Sequence, residues 1–216
     1  MNLPLLDWLP LLLDGALITV QVALLAAVVA LALSFAAGLG NGSKYRIIRW
    51  ISKTYIELFR ASSLLVLLFW LYFALPFLDI ELSKLMAAVL AIGLNIGAYG
   101  AEIVRSSLAA VPAGQHEASV ALNLPGNKRM LRIILPQAAG RMVPPFGNLM
   151  IELLKSTSLV YFITLTDLTF EALVLRNNYY AYTPYIFGLL LVMYFLLSAC
   201  ITFVARMLER KLTAWR

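Results

Sequence analysis

The chain has one cysteine, Cys200, and one histidine, His116. A single cysteine excludes an intrachain disulfide and a cysteine metal cluster, and a lone histidine cannot build a histidine-ligated metal site. Charge is also scarce. Of the 216 residues 13% are charged and 62% hydrophobic, with a mean hydropathy of +0.87. Soluble domains are nearer half apolar and a quarter charged. A water-soluble globule of this size could not cover so much apolar surface, so lipid is the solvent for much of the chain. Catalytic motifs are missing too. Gly40-Asn41-Gly42-Ser43-Lys44 has the composition of a phosphate-binding loop without the order G-x-x-x-x-G-K-[ST], and reads as a turn. Neither H-E-x-x-H, G-x-G-x-x-G nor G-x-S-x-G occurs.

What is present is a set of long uncharged runs. Gly15 to Ser43, Ala61 to Leu78, Leu85 to Ala101 and Asn177 to Ala205 carry no formal charge. A bilayer core about 30 Å thick needs roughly 20 helical residues, so each is a candidate span. A further apolar stretch, about Pro144 to Leu165, contains Glu152 and Lys155. It reads as one helix with an ionisable pair inside. Two half-helices or a re-entrant segment is the alternative, although neither half could span alone. The tail before Gly15 has Asp7 and Asp14 but no Lys or Arg, and the run after it exceeds a signal-peptide core. The first run is therefore expected to be a retained helix.

Charge placement gives the orientation. With five spans, all of the 17 basic residues except Lys84, Lys155 and Arg176 fall on one side. The opposite side carries Asp7, Asp14, Asp79, Glu81, Asp167 and Glu171. The positive-inside rule then puts the N-terminus outside and the C-terminus in the cytoplasm. It also accounts for the net charge of +6 without nucleic acid, which would need a clustered basic face interleaved with aromatics.

Most loops are short. The exception runs from about Ser106 to Arg141, on the basic side between spans three and four. A structureless loop of that length is unusual unless functional. Pro112, Pro125 and Pro136 divide it into two short helices, roughly Ala113 to Leu122 and Asn127 to Leu135, with Pro125-Gly126 at the turn. Ala118, Ala121 and Leu122 share one face by three-four spacing and admit close approach of another surface. Composition alone equally allows a hairpin lying on lipid headgroups.

Glu117-Ala118-Ser119, Asn123 and Ile133-Ile134-Leu135-Pro136 stand at the spacing E-A-A, three residues, Gly, nine residues, I-x-L-P. This resembles the EAA motif of bacterial importer permeases of the ATP-binding cassette (ABC) superfamily. Two letters depart: Ser119 replaces the third Ala and Asn123 the Gly. Asn tolerates left-handed backbone better than most residues, so it can stand in for a turn Gly. The likeness extends along most of the chain. Gly15 to Val20, Tyr55 to Arg60 with Ser63 to Val66, and Leu94-Asn95, Ala98-Tyr99, Glu102 to Arg105 resemble the first three helix signatures of polar amino acid permeases. Gly114-Gln115-His116 opens the EAA loop as in that subfamily. Asn148 and Lys155-Ser156-Thr157-Ser158-Leu159 resemble its K-x-T-S-L box. Ala121-Leu122-Asn123 and Thr164 to Phe170 resemble the ectoine and hydroxyectoine branch.

The resemblance implies an all-α membrane protein of the type I ABC importer permease fold. It has five transmembrane helices in one domain, residues 1–216, in the bacterial cytoplasmic (inner) membrane. The EAA loop, residues 106–141, would present a coupling helix to a cytoplasmic ABC ATPase dimer. Gly114 and Gln115 would form its entry, Glu117 a polar contact, Ala118 the close-packed face, with Ser119 and Asn123 completing the motif. A second permease subunit, identical or not, would complete the pore, and a periplasmic solute-binding protein would deliver a small zwitterionic solute. The chain itself would bind no cofactor; ATP and Mg belong to the partner ATPase. Taken without the family, Glu117 is a first-turn acid complementing the helix dipole.

The embedded polar groups are the second candidate set. Glu152 and Lys155 are three apart, so both lie on one helix face. They would suit the two ends of a zwitterion, or pair with each other; Lys155 could also snorkel. Thr157 and Ser158 would hydrogen-bond solute or their own helix backbone. Asn95, between Gly93 and Gly97, reads as interhelical glue or as a ligand. Trp8, Trp50 and Trp215 near span ends fit an aromatic belt, as does Arg176 to Tyr182. Cys200 fits a small packing residue. Ser43 to Arg60 is expected to lie along the inner interface before span two. The competing function is a self-sufficient channel or intramembrane enzyme, which has no need of an EAA loop.

Overall fold

In a computed structural model the protein is described over residues 5–213; Trp215 lies outside the described residues. The long uncharged runs form helices because lipid offers the backbone no hydrogen-bonding partners. α1 (Leu5–Asn41), α4 (Lys84–Ala109) and α9 (Thr183–Thr213) each contain a stretch long and apolar enough to cross a membrane alone. Between α1 and α4 come α2 (Arg46–Ala61) and α3 (Leu64–Phe69), the latter extended by a π turn, Trp70–Ala74, and a 3-10 turn, Leu75–Leu78. After α4 come α5 (Ala113–Ala121) and α6 (Gly126–Arg129). A π turn, Met130–Ile134, then leads into α7 (Leu135–Ser156) and a 3-10 segment, Thr157–Ile163. α8 (Leu168–Asn178) and a 3-10 turn, Tyr180–Tyr182, precede α9. Counting each bent pair as one span gives five.

α4 is the central helix: 67% of its span is buried inside the chain, against 6% of that of α9. It packs on α1 through small residues. Ala26, Ala30 and Ala37 face Ala87, Ala91, Ala98 and Ala101, all buried. A Cβ on Gly93 would stand 2.7 Å from Val29 Cγ1, and one on Gly38 would stand 2.6 Å from Val104 Cβ. Close backbone approach is what small residues supply where lipid gives helices no hydrophobic drive to associate.

Three expectations need correction. First, Pro136 does not end a helix: the chain is helical without a break from Gly126 to Ile163. The reason is the π turn just before it, where the Leu135 N–H donates to Met130 O, five residues back. A proline ring collides with the carbonyl four residues earlier, and a widened turn removes that carbonyl from its path. The same device precedes Pro76, where the Leu75 N–H donates to Trp70 O. The stretch holding Glu152 and Lys155 is therefore one helix, not two halves.

Second, α2 does not simply precede the second span: with α3 it makes a bent pair that counts as that span. It packs on α1 and α4, reaching the middle of α4's uncharged run at Leu94, and the chain then bends by 103° into α3. Third, Trp8 is not a belt residue. It is 1% exposed, with ring centroids 5.6 Å from Tyr179 and 5.8 Å from Tyr182, and closes a second small core with Leu12, Leu168 and Ile186. Cys200 is exposed, on the wall of an apolar cavity between α1, α7 and α9.

Candidate functional site

The basic end of the bundle carries the EAA loop. α5 starts after Pro112, which is pre-set for the N-terminal flank of a helix and forfeits no needed N–H there. It ends in a Schellman motif: Leu124 N–H donates to Ser119 O at 3.1 Å and Asn123 N–H to Val120 O at 2.8 Å. That closure requires a left-handed residue, and Asn123 has φ +54°. The substitution of Asn for Gly thus keeps the turn the motif needs.

α5 touches the bundle sparingly. Ser119 is buried and its hydroxyl donates to His116 O. Gln137 Nε2 donates to Gln115 Oε1 at 3.2 Å, and the Arg141 guanidinium donates to Ala110 O at the end of α4. Gln137 and Arg141 are one turn apart on α7, so a single helix face holds both flanks of α5. Gly114, Gln115, Glu117, Ala118, Ala121 and Leu122 are all exposed, and a Cβ at Gly114 would meet nothing within 4 Å. α5 is thus a short helix with most of its surface exposed. The roles of Gln137 and Arg141 were not legible in the sequence, because their partners lie 22 and 31 residues away.

The second- and third-helix signatures clasp each other. α2 ends beside α4, and its last carbonyls have no helical partner. Asn95 Nδ2 donates to Phe59 O at 2.8 Å, and Tyr99 Oη to Arg60 O at 3.3 Å. Tyr55 Oη donates to Leu94 O at 2.8 Å. The side-chain amide of Asn95, 6% exposed, therefore ties α4 to α2.

Glu152 and Lys155 are both exposed, on the side of α7 opposite the buried Leu153 and Leu154. They do not pair with each other, unlike Glu102 and Arg105, which form an ion pair on α4. The hydroxyls that follow bond their own helix. Ser156 Oγ donates to Glu152 O, Thr157 Oγ1 to Leu154 O and Ser158 Oγ to Lys155 O, at 2.7–2.9 Å. Such back-bonding strains an α-helix, and here the helix tightens to 3-10 from Thr157 onward. It stops at Thr164, φ +56°, whose carbonyl and hydroxyl both accept from Lys84 Nζ.

The family described as the binding-protein-dependent transport system inner membrane component matches residues 29–214. The chain belongs to that family. This permease is 46% identical to the probable amino-acid ABC transporter permease protein y4tF of Sinorhizobium fredii, over 97% of its own length and 90% of the relative's. It is 35% identical to the arginine transport system permease protein ArtQ of Bacillus subtilis, over 94% and 93%. A crystal structure of an amino acid ABC transporter with histidines superposes with a TM-score of 0.88 at 29% identity, covering 98% of the permease and all of that chain. The MetNI methionine ABC transporter, at 18% identity and a TM-score of 0.76, shares the fold. The permease is thus a type I importer subunit of the bacterial inner membrane and not an enzyme; ATP hydrolysis belongs to a separate subunit.

Proposed function

We propose that this permease passes a polar amino acid, or a related small zwitterion, inward across the cytoplasmic membrane along a path that includes Glu152 and Lys155. One observation carries the reading: two opposite charges, three residues apart and unpaired, stand exposed on a membrane span. Ionisable groups at that depth face a cavity or a partner, and a second permease subunit supplies the facing wall. A carboxylate and an ammonium at this spacing match the ammonium and carboxylate ends of such a solute. Ser158, with its donor engaged, offers acceptor lone pairs alone, whereas Thr157 is fully buried and stands off the path, contrary to the expectation from sequence. Relatives named for amino-acid transport support the solute class, and Ala121-Leu122-Asn123 with Thr164 to Phe170 favours an ectoine within it.

The basic residues at one end support an N-terminus outside and a C-terminus inside. The exposed face of α5, with Glu117 and Ala118 at its centre, then docks on the cytoplasmic ATPase dimer, which holds the ATP and Mg. A periplasmic binding protein delivers solute at the opposite end. ATPase closure displaces α5, and the displacement reaches α7 through Gln115 and Gln137. From Gln137 to Lys155 is about 27 Å of unbroken helix at 1.5 Å per residue. Each state is favoured only by what binds it more tightly, so a charge pair on this lever links ATPase closure to solute release.

The test is uptake by the importer reconstituted with its ATPase and binding protein. Lys155→Met is expected to reduce uptake and solute-stimulated ATP hydrolysis while assembly and basal hydrolysis persist, with a smaller loss for Glu152→Gln. Normal uptake in both variants would remove the pair from the path. Solute flux through the permease alone would favour the channel reading instead. Binding of polar amino acids and ectoines to the cognate receptor names the cargo.

A further inference from the structure

A second cavity, of about 640 Å³, opens at the basic end where α1 finishes, between α2, the end of α4 and α5. Its lining is mixed. Arg49 and Lys53, one turn apart on α2, Arg105 on α4 and His116 on α5 point to it, together with Leu39 and Met130. Arg105 shares its charge with Glu102. Arg49 and Lys53 have no carboxylate within salt-bridge distance among the described residues, and no acidic side chain lines the cavity.

Close packing builds this hollow. A Cβ on Gly38 would strike Val104, and one on Gly40 would lie 2.3 Å from Ser52 Oγ. The foot of α1 is therefore pressed onto α4 and α2, and the cations are left around the gap beneath it. Its depth is set by the sequence: the uncharged run from Gly15 ends at Ser43, beside the cavity residues Asn41 and Gly42. Trp50, 67% exposed between Arg49 and Lys53, is the kind of ring that sits at headgroup level.

We propose that this cavity is a headgroup site for an anionic phospholipid, with the lipid phosphodiester between Arg49 and Lys53. Two unshared cations supply the charge complement, and Leu39 and Met130 supply apolar contact for the glycerol and upper acyl region, which a soluble anion would not need. Basic hollows between membrane helices suit anionic headgroups for this reason. Because His116 belongs to α5 and Arg49 to α2, a bound headgroup braces the EAA loop against the bundle. The proposal is independent of the path assigned to Glu152 and Lys155.

The assembled importer in nanodiscs tests it. Lys53 is labelled with an amine-acylating reagent and its modification read by mass spectrometry relative to Lys44. In nanodiscs containing phosphatidylglycerol, relative labelling of Lys53 is expected to fall about fivefold below that in phosphatidylcholine alone. Equal labelling in the two lipids overturns the proposal. So does equal protection by inorganic phosphate in phosphatidylcholine, which would make the ligand a soluble anion. Full protection without any anion would mean that protein covers the site. In native mass spectrometry, Arg49→Gln with Lys53→Gln should lower phosphatidylglycerol retention by about thirtyfold, at roughly fivefold per cation. Lys128→Gln with Arg129→Gln should not. Retention by the first pair overturns the site, and if that pair fails to fold, wild-type labelling decides.

Discussion

Asn95 Nδ2 lies 2.8 Å from Phe59 O, and this contact joins two helices that meet inside the bundle. Phe59 O belongs to the last turn of α2, where the helix offers it no N–H. Ser62 Oγ also donates to it at 3.0 Å, and Tyr99 Oη serves Arg60 O next door. The end of α2 is therefore capped by side chains, and the chain bends by 103° at Ser62 and Ser63.

Asn95→Ala should lower the melting temperature of the detergent-solubilised permease, at a cost of about 1 kcal/mol, the usual worth of a hydrogen bond between membrane helices. Tyr99→Phe, which loses a longer bond, should cost less. An unchanged melting temperature for Asn95→Ala would show that Ser62 alone caps Phe59.

Glu117→Lys reverses the charge at the centre of the exposed face of α5. Membrane insertion should be normal, because Glu117 is exposed. Co-purification of the ATPase and solute uptake should both fall. Uptake at the wild-type rate would discard Glu117 as a docking residue.

Asn123 carries the left-handed turn that ends α5, so its substitutions should follow backbone cost. Asn123→Gly should be neutral. Asn123→Val should destabilise the turn by about 1–2 kcal/mol, since β-branched residues resist positive φ. Hydrogen exchange of the α5 amides reads this directly, and coupled uptake should decline with it.

Asp167 sits at the break between the two helices of the fourth span. It caps α8, accepting from Phe170 N at 3.0 Å and Thr169 N at 3.2 Å, and is fully buried against Gly15 and Thr19. Asp167→Ala removes the cap and should lower the melting temperature, at a cost of about 1 kcal/mol. Asp167→Asn keeps a capping oxygen and should cost less. A wild-type melting temperature in Asp167→Ala would contradict this.

Local chemistry was legible without coordinates. Four candidate spans follow from uncharged runs measured against bilayer thickness, a fifth from the apolar stretch around Glu152 and Lys155, and the EAA loop from its spacing. The left-handed turn at Asn123 follows from what an Asn backbone tolerates. Each needs only neighbours along the chain. Partners across the chain were not legible. That Trp8 is buried by Tyr179 and Tyr182, that α2 climbs to Leu94, and that Asn95 closes on Phe59 depend on how α1, α2, α4 and α8 pack together. Pro136 misled for a related reason: a widened turn five residues long absorbs the ring, and no residue type announces that turn.

The sequence by itself determined that this protein lives in lipid and carries a stiff helix at its basic end, because burial of apolar groups and turn geometry are properties of short segments. Only the tertiary structure decided that Glu152 and Lys155 stand apart and exposed, and that Asn95 is bound to α2. Whether two polar groups meet depends on distances set by helix packing, which the order of residues does not contain.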